Sequence, residues 1–359
     1  MKFLPNGTSL EKATIPSYNE SLEPTSLFLA DRMVVINKDA GVIDAYDGSV
    51  EFFGDEVSTF IHFEKGRYFQ KRALVHSDRP VEVLQPQFRI TGEGAYYDLS
   101  TRQVFLTGKT ESKFIREEVA QNFIKSAVLM TAELSEKDFT LSTEEKVKLA
   151  QQEEVGLQAA KAVEAEAKLN EGQYQNAQKK AQEGDKTMGA FLNKTGHKPK
   201  KVAAQKAADE TPQVVGPMLK ITNDGGTYVD TEKNLVVYLG NVQVDDPDFQ
   251  LTCNESLKIF LSNKEGEKGK AGRQVDEILA TGNVKVTYRK TGSKPPIIAT
   301  GGSALVTIAT EEMLIRGGLP KIRQGNNSSE AVEPGLWVKL KKSGPIWSKG
   351  AKKHVMIKE

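Results

Sequence analysis

Four histidines and one cysteine are the side chains of this sequence best suited to metal binding or nucleophilic catalysis. His62, His76, His197 and His354 are scattered and lack the short spacings of a metal-binding motif. Cys253 lies in a strand-like segment with no basic neighbour, which is typical of a small core residue and not of a nucleophile. No carboxylate pair or triad stands out either. We therefore expect no metal, no other cofactor and no enzymatic activity.

Short acidic and glycine motifs were considered as binding sites. Asp245-Asp-Pro-Asp248 lacks the spacing of a calcium-binding loop and is interpreted as an acidic turn. Gly92-Glu-Gly94 and Gly301-Gly302 lack the third glycine and the strand-helix context of a nucleotide-binding loop. We interpret both as turns or bulges.

Length and charge limit the class of protein. The chain has 359 residues, which suits two or three domains, and its 49 basic and 48 acidic residues give a net charge of +1, which favours no nucleic acid partner. One cysteine excludes an internal disulfide. There is no apolar run of about 18 residues, and residues 1–7 lack the apolar region of a signal peptide. Two interpretations remain open: the protein stays inside the cell, or an export segment was removed.

The periodicity of apolar residues divides the chain into five segments. Residues 1–24 are predicted to be a leader or linker, and 25–115 an antiparallel β module with period-two alternation. Residues 116–212 are predicted to be a helical and charged insertion that is partly disordered. Residues 213–330 form a second β module, and 331–359 a basic tail. The predicted fold class is mainly β with a helical insertion.

One strand-turn unit recurs in both β modules. Its clearest copy is Tyr228–Val244, it returns at Ile278–Tyr288, and an upstream copy lies at Gly94–Thr110. Such units cannot bury their apolar faces alone, so they must stack or fold over one another. The Gly-Asn pairs at 240–241 and 282–283 could each be a hairpin turn, or a bend where a strand crosses between two sheets. The recurrence of the flanking pattern favours the bend.

These residues carry a resemblance to a known family. Asp230–Val244 and Asp276–Val286 resemble the OstA-like family of lipopolysaccharide-transport proteins, and Gly92–Gly108 is similar to the same unit. The resemblance covers about 25–115 and about 215–325. It implies two open, V-shaped β-jellyroll modules whose apolar cleft holds the acyl chains of lipopolysaccharide or a similar glycolipid. It also implies a periplasmic location, passage of lipid toward the outer membrane, and pairing of edge strands with other transport components.

Alternation along the strands sends one set of side chains to a common face, and we expect that set to line the cleft. The alternative for each is an ordinary dry core. The predicted lipid-binding residues are Val242, Val244, Leu251, Leu257, Ile259, Ile278, Val284 and Val286 in the second module, with Val50, Phe52, Phe60, Ile90, Tyr96 and Leu106 in the first.

Two further alternatives concern the tail and the function. The lysines of the tail, with Trp337 and Trp347, could contact anionic lipid headgroups or phosphates; a solubilising terminus is the interpretation we favour. If an export segment was removed, the expected location is the periplasm, where the protein could associate with the inner membrane. The rival function is a structural β-repeat scaffold or polymerising protein without a lipid ligand.

Overall fold

The structure is a computed structural model. It describes residues 4–18, 21–53, 58–85, 88–115, 143–198, 218–264, 272–288, 295–331, 335, 337–341, 347–349 and 352–356. The chain divides into two compact units. One comprises Met1–Arg116 with Lys179–Glu359, and the other comprises Glu117–Gln178, whose described part is helical.

The described residues form twenty-two β-strands, joined in one sheet, and one α-helix. The helix α1 spans Thr143–Thr195 and is rich in Ala, Glu, Gln and Lys, which are strong helix formers. The strands are β1 (Ser9–Tyr18), β2 (Pro24–Asn37), β3 (Val42–Phe52), β4 (Thr59–Phe69), β5 (Leu74–Ser77), β6 (Val81–Gln85), β7 (Phe88–Asp98), β8 (Gln103–Ile115), β9 (Met218–Asn223), β10 (Thr227–Asp230), β11 (Leu235–Leu239), β12 (Val242–Asp245), β13 (Phe249–Cys253), β14 (Ser256–Lys264), β15 (Gly272–Tyr288), β16 (Ile297–Thr307), β17 (Glu312–Arg316), β18 (Lys321–Gln324), β19 (Asn327–Ala331), β20 (Trp337–Lys341), β21 (Trp347–Lys349) and β22 (Lys352–Met356).

Strand β8 joins the two predicted β modules. Its first residues pair with β10, in the register Val104 opposite Val229, and its last residues pair with β9, in the register Ser112 opposite Ile221. Both pairings are antiparallel. Strands from both halves of the sequence therefore share one hydrogen-bonded sheet.

Successive strands divide this sheet into two arms. We name arm A the part made by β5, β10, β11, β14, β17 and β20 with the adjoining halves of β7, β8, β15 and β16. Arm B is made by β6, β9, β12, β13, β18 and β19 with the other halves of the same four strands. Each of these four strands therefore belongs to arm A at one end and to arm B at the other.

The two arms meet at a line of bends, which we call the glycine seam. At the Gly240–Asn241 and Gly282–Asn283 bends all four residues have positive φ, between 37° and 85°, a region that glycine and asparagine tolerate best. The register of β15 against β16 shifts between Thr281 and Val284. The prediction of a repeated bend at the Gly-Asn pairs is confirmed.

Backbone hydrogen bonds connect neighbouring bends along the seam. Gly240 N–H donates to the Glu255 carbonyl at 2.9 Å, and Asn254 N–H donates to the Gly282 carbonyl at 2.8 Å. Farther along, Gly302 N–H donates to the Gly317 carbonyl at 2.8 Å. The sheet therefore continues through the bends.

Two hairpin turns at the free end of arm A have the same construction. Asp98 Oδ1 accepts hydrogen bonds from the backbone N–H groups of Ser100 and Thr101, at 3.0 and 3.3 Å. Asp230 Oδ1 accepts the equivalent hydrogen bonds from the backbone N–H groups of Glu232 and Lys233, at 3.2 and 3.0 Å. The aspartate of the repeat unit is thus the residue that fixes its turn.

The end of α1 packs on the outer face of arm A. Three ion pairs attach it, joining Lys180 to Glu277, Asp185 to Lys258, and Lys194 to Asp98. The Phe191 ring lies 5.7 Å from the Tyr228 ring, measured between centroids. This part of the helix, from Lys179 to Thr195, is called the strap below.

Several segments differ from their predicted character. Residues 9–18, expected within a linker, form β1, because a partner strand satisfies their backbone groups. The strap lies within residues 116–212, the insertion that was expected to be helical and partly disordered, and β20–β22 lie in the predicted basic tail. Residues 116–142 and 199–212 of that predicted insertion lie outside the described residues.

Candidate functional site

The inner faces of both arms are lined by side chains that neighbour one another from strand to strand. In arm A each member of the row is directly opposite the next across a strand pair. The arm A row is Tyr97, Val104, Val229, Val236, Ile259, Ile278, Val306, Met313 and Leu340. All nine are 6% exposed or less, so this face is apolar and covered along its whole length.

The arm B row is built in the same way and extends into the first strands. Its members are Phe28, Val50, Ile61, Val83, Ile90, Ser112, Ile221, Val244, Leu251, Val286, Ala299 and Ile322. Every apolar member of the two rows belongs to or packs against one hydrophobic cluster. A single apolar interior therefore connects both predicted modules.

Twelve of the fourteen predicted lipid-binding residues lie in this interior. They are each 1% exposed or less and belong to the same cluster: Val50, Phe52, Ile90, Leu106, Val242, Val244, Leu251, Leu257, Ile259, Ile278, Val284 and Val286. Their shared burial follows from period-two alternation. Lipid binding by these residues stays a prediction.

The structure places Phe60 and Tyr96 elsewhere. Phe60 is 38% exposed, and its strand neighbour Ile61 takes the inner position. Tyr96 lies on the outer face. There the centroid of its ring is 4.4 Å from that of the His76 ring, on which it stacks, and 5.2 Å from that of the His197 ring. In both strands the next residue, Ile61 or Tyr97, has its side chain on the inner face. The predicted two-residue alternation of these strands is therefore correct, but the wrong one of the two faces was expected to point inward.

A small cavity opens between the free ends of the two arms. Its volume is about 40 Å³, which holds a few water molecules at most. Its lining includes Asp248, Thr307, Ile308, Glu311 and Glu312. Phe249 and Tyr288 line it from arm B, and Val306, Met313 and Leu340 line it from arm A. We call these five residues the mouth. Because both arms contribute, the cavity shows that their inner faces are opposed.

The mouth was missed by sequence reasoning, although signals for it exist. Phe249 precedes Leu251 by two residues and therefore shares its face. Leu340 lies in the segment predicted to be a basic tail, a prediction that assigns it no place in the core. Its strand β20 pairs with β17, which places Leu340 opposite Met313.

The polar groups of the interior are few. The Tyr97 hydroxyl is buried and has no hydrogen-bond partner in the described part of the chain, and burial raises the pKa of Tyr97 well above its ordinary value. Burial also raises the pKa of the Cys253 thiol to about 12, so the thiol stays protonated and unreactive, as its predicted core position implies.

A wider cavity, of about 460 Å³, lies at the first strands and differs in chemistry. Its lining includes His62, Glu64, Glu82 and Arg89, and Arg89 forms an ion pair with Glu82. Apolar residues such as Phe63 and Val81 complete this mixed lining. None of the fourteen predicted lipid-binding residues lines either cavity, and twelve of them lie in the interior.

Within the described ranges no three His, Cys, Asp or Glu side chains gather as a metal-binding set. No helix in the described part of the chain is both long enough and apolar enough to cross a membrane.

These features define a class: a mainly β protein in which two arms of one sheet enclose an apolar interior. No protein-family model matches the chain. No curated protein is similar to it.

Among solved structures, the chain is similar to the crystal structure of LptH, the LptA homologous periplasmic component of the conserved lipopolysaccharide transport device from Pseudomonas aeruginosa. The sequences are 13% identical, the TM-score is 0.31, and the match covers 39% of this chain and 95% of that chain.

Proposed function

We propose that the protein is a non-enzymatic carrier that holds the acyl chains of lipopolysaccharide or a similar glycolipid between the two arms of an open β-jellyroll. The observation that carries this proposal is the mouth. It is a mainly apolar cavity whose lining also includes the carboxylates of Asp248, Glu311 and Glu312. It lies at the ends of the arms away from the seam, and Val306, Met313 and Leu340 belong both to its lining and to the arm A row. An amphiphile whose acyl chains enter there would keep its sugars and phosphates in water.

The energetics favour such binding. Each buried methylene group contributes about 0.8 kcal/mol, so a chain can be held firmly by contacts that have no fixed register along the row. Non-directional contacts of this kind allow a lipid to slide from strand to strand. Because the mouth holds about 40 Å³, entry of a chain requires the arms to move apart about the seam.

The proposal is tested by photocrosslinking at the mouth. A benzoylphenylalanine placed at Tyr288 replaces one aromatic side chain by another at a position 7% exposed. The matched control is the same substitution at Phe60, an aromatic residue on the outer face. The purified protein is irradiated with lipopolysaccharide, and the covalent adduct is detected as a lipid-positive band of higher mass.

We expect an adduct from position 288 and none from position 60. Equal adducts at both positions would indicate adhesion to the surface and would contradict the proposal. Absence of an adduct at position 288, together with filaments in electron microscopy, would favour the structural scaffold instead.

Strand β1 supports the proposed partners. It is ten residues long and pairs only with β2 among the described strands, so its other edge presents backbone donors and acceptors. We propose that other components of a lipopolysaccharide-transport system add a strand there, and that the protein works in the periplasm, at or near the inner membrane. We also propose that the lysine-rich segment beyond residue 331 contacts anionic lipids. We propose no nucleic acid as a partner.

A further inference from the structure

The hydroxyl of Tyr97 is a polar group that the fold itself leaves unused. Tyr97 is 0% exposed, and its hydroxyl has no partner among the described residues. The residues opposite it on the two neighbouring strands are Val75 and Val104, which offer no side-chain acceptor. A buried hydroxyl without a partner is unfavourable, because it has lost its hydrogen bonds to water and gained none.

The second copy of the repeat shows that packing does not require this hydroxyl. Gly94–Asp98 and Gly226–Asp230 occupy equivalent positions, so Tyr97 corresponds to Val229. Val229 is 2% exposed and fills the same row with an apolar side chain. Both copies also have a tyrosine that points outward, Tyr96 in the first and Tyr228 in the second. The hydroxyl of Tyr228 donates a hydrogen bond of 3.1 Å to the Asp230 carboxylate.

The surroundings of Tyr97 are aromatic. The Phe63 ring centroid lies 6.0 Å from that of Tyr97, and Phe28 lies 6.0 Å from Phe63 and 5.3 Å from Tyr68. Because burial raises the pKa of Tyr97, its hydroxyl remains a hydrogen-bond donor at all physiological pH values. The first part of the interior thus combines apolar walls with an inward donor, while Ser112 and Tyr238 place further buried hydroxyls in the same interior.

We propose that Tyr97 donates a hydrogen bond to an oxygen atom attached to a bound acyl chain, and so makes the interior select oxygen-bearing chains over plain hydrocarbon chains. The inference rests on the carrier function proposed above. It assigns Tyr97 as a specificity-determining residue, whereas the other members of the row contribute only apolar contact.

The test compares stearate with a set of hydroxystearates that differ in the position of the hydroxyl group. Dissociation constants are measured by displacement of a fluorescent fatty acid from the full-length protein. We expect one or more hydroxystearates to bind about tenfold more tightly than stearate, as one net hydrogen bond allows. Tyr97→Phe removes only the hydroxyl, so we expect it to abolish this preference, with the hydroxystearates and stearate then binding equally.

Tyr96→Phe is the matched control, since it removes a hydroxyl from the adjacent residue on the outer face. We expect it to keep the preference. Thermal unfolding of Tyr97→Phe should occur at the wild-type temperature or above it, because the lost hydroxyl made no bond. If all the lipids bind wild type equally, or if Tyr97→Phe keeps the preference, the assignment is wrong but the carrier function stands. If none of them binds wild type, both are overturned.

Discussion

The ammonium group of Lys258 donates a hydrogen bond of 3.0 Å to Asp185 of the strap, and the Lys258 side chain is only 7% exposed. The lysine lies on the outer face of arm A, between Val237 and Leu279 of the neighbouring strands. A buried cation in an apolar row needs a counter-charge. The sheet is therefore adapted to carry the strap.

Replacing Asp185 by alanine should destabilise the protein. Lys258 would lose its partner while still partly covered, and we expect the free energy of unfolding to fall by about 1–3 kcal/mol. Urea denaturation followed by circular dichroism measures the change. The control is Glu330→Ala, which removes an ion pair with Lys321 at 3.5 Å whose side chains are both half exposed, and should cost under about 0.5 kcal/mol.

A second substitution separates charge from packing in that prediction. Lys258→Met combined with Asp185→Ala removes the uncompensated charge and keeps most of the side-chain volume. We expect it to recover most of the stability lost in Asp185→Ala. If the double variant is as unstable as the single one, the lysine charge is not the cause.

Gly282 in the glycine seam should not tolerate a side chain. Its φ is +85°, and a Cβ atom would lie 2.4 Å from Glu255 Cγ and 2.8 Å from the Glu255 backbone nitrogen. We expect Gly282→Ala to lower the free energy of unfolding by about 2–4 kcal/mol. Gly196, with φ of +72° and nothing within 4 Å of its Cβ position, is the control and should lose about 1 kcal/mol. If Gly282→Ala and Gly196→Ala lost the same free energy of unfolding, the close contact between residue 282 and Glu255 would not be a cause of the destabilisation.

Asp98 should make stability depend on pH in acid. Burial by itself would raise its pKa, but hydrogen bonds from Lys194 and Ser100 outweigh burial and hold the pKa of Asp98 below its ordinary value. The folded state therefore binds this proton less readily than the unfolded state does. Its contribution is present above the unfolded pKa of about 3.9 and is lost as the pH falls through the folded value.

Lys194→Met tests that dependence. Without the ammonium group the pKa of Asp98 rises, so we expect acid unfolding, followed by circular dichroism, to begin at a higher pH than in the wild type. Lys113→Met is the control, because Lys113 pairs with Glu111 at an exposed position. An unchanged acid midpoint in Lys194→Met would contradict the prediction.

The imidazoles of His76 and His197 should loosen the end of the strap when they are protonated. Both imidazoles contact the Tyr96 ring. Burial lowers the pKa of each histidine. At His76 the negative charge of Asp78 opposes this lowering of the pKa, whereas the positive charge of Arg67 adds to it. His76 also lowers the pKa of His197. The two neutral histidines contribute their full stabilisation above the pKa of an unfolded histidine, about 6.5. This contribution decreases as the pH falls from that value toward the lower pKa values of the folded state.

Hydrogen exchange at two pH values measures this effect. We expect residues 188–198 to lose protection at pH 5 relative to pH 7.5, after correction for intrinsic exchange rates. His197→Phe keeps an aromatic ring against Tyr96 and Phe105 but cannot be protonated, so its protection should change less with pH. Equal loss in both proteins would contradict a role for His197.

Local patterns predicted much of the interior. The alternation around Val244, Leu251 and Val286 identifies their inner face without any tertiary information, because successive side chains in a strand point to opposite sides. Phe60 and Tyr96 were misplaced because both faces of their strands carry large apolar residues. Alternation alone cannot tell which of two apolar faces is covered by the opposite arm and which is covered by the strap or left exposed.

The sequence by itself determined the mainly β character, the recurring unit, and the bends at the Gly-Asn pairs, since these depend on side-chain period and on backbone conformations that few residues adopt. Only the tertiary structure decided that β8 joins the two halves, that β1 and β20–β22 complete the sheet, and that Phe249 and Leu340 meet across the mouth. Those features depend on pairing between residues far apart in the chain, and a strand's own residues do not specify which partner satisfies its backbone.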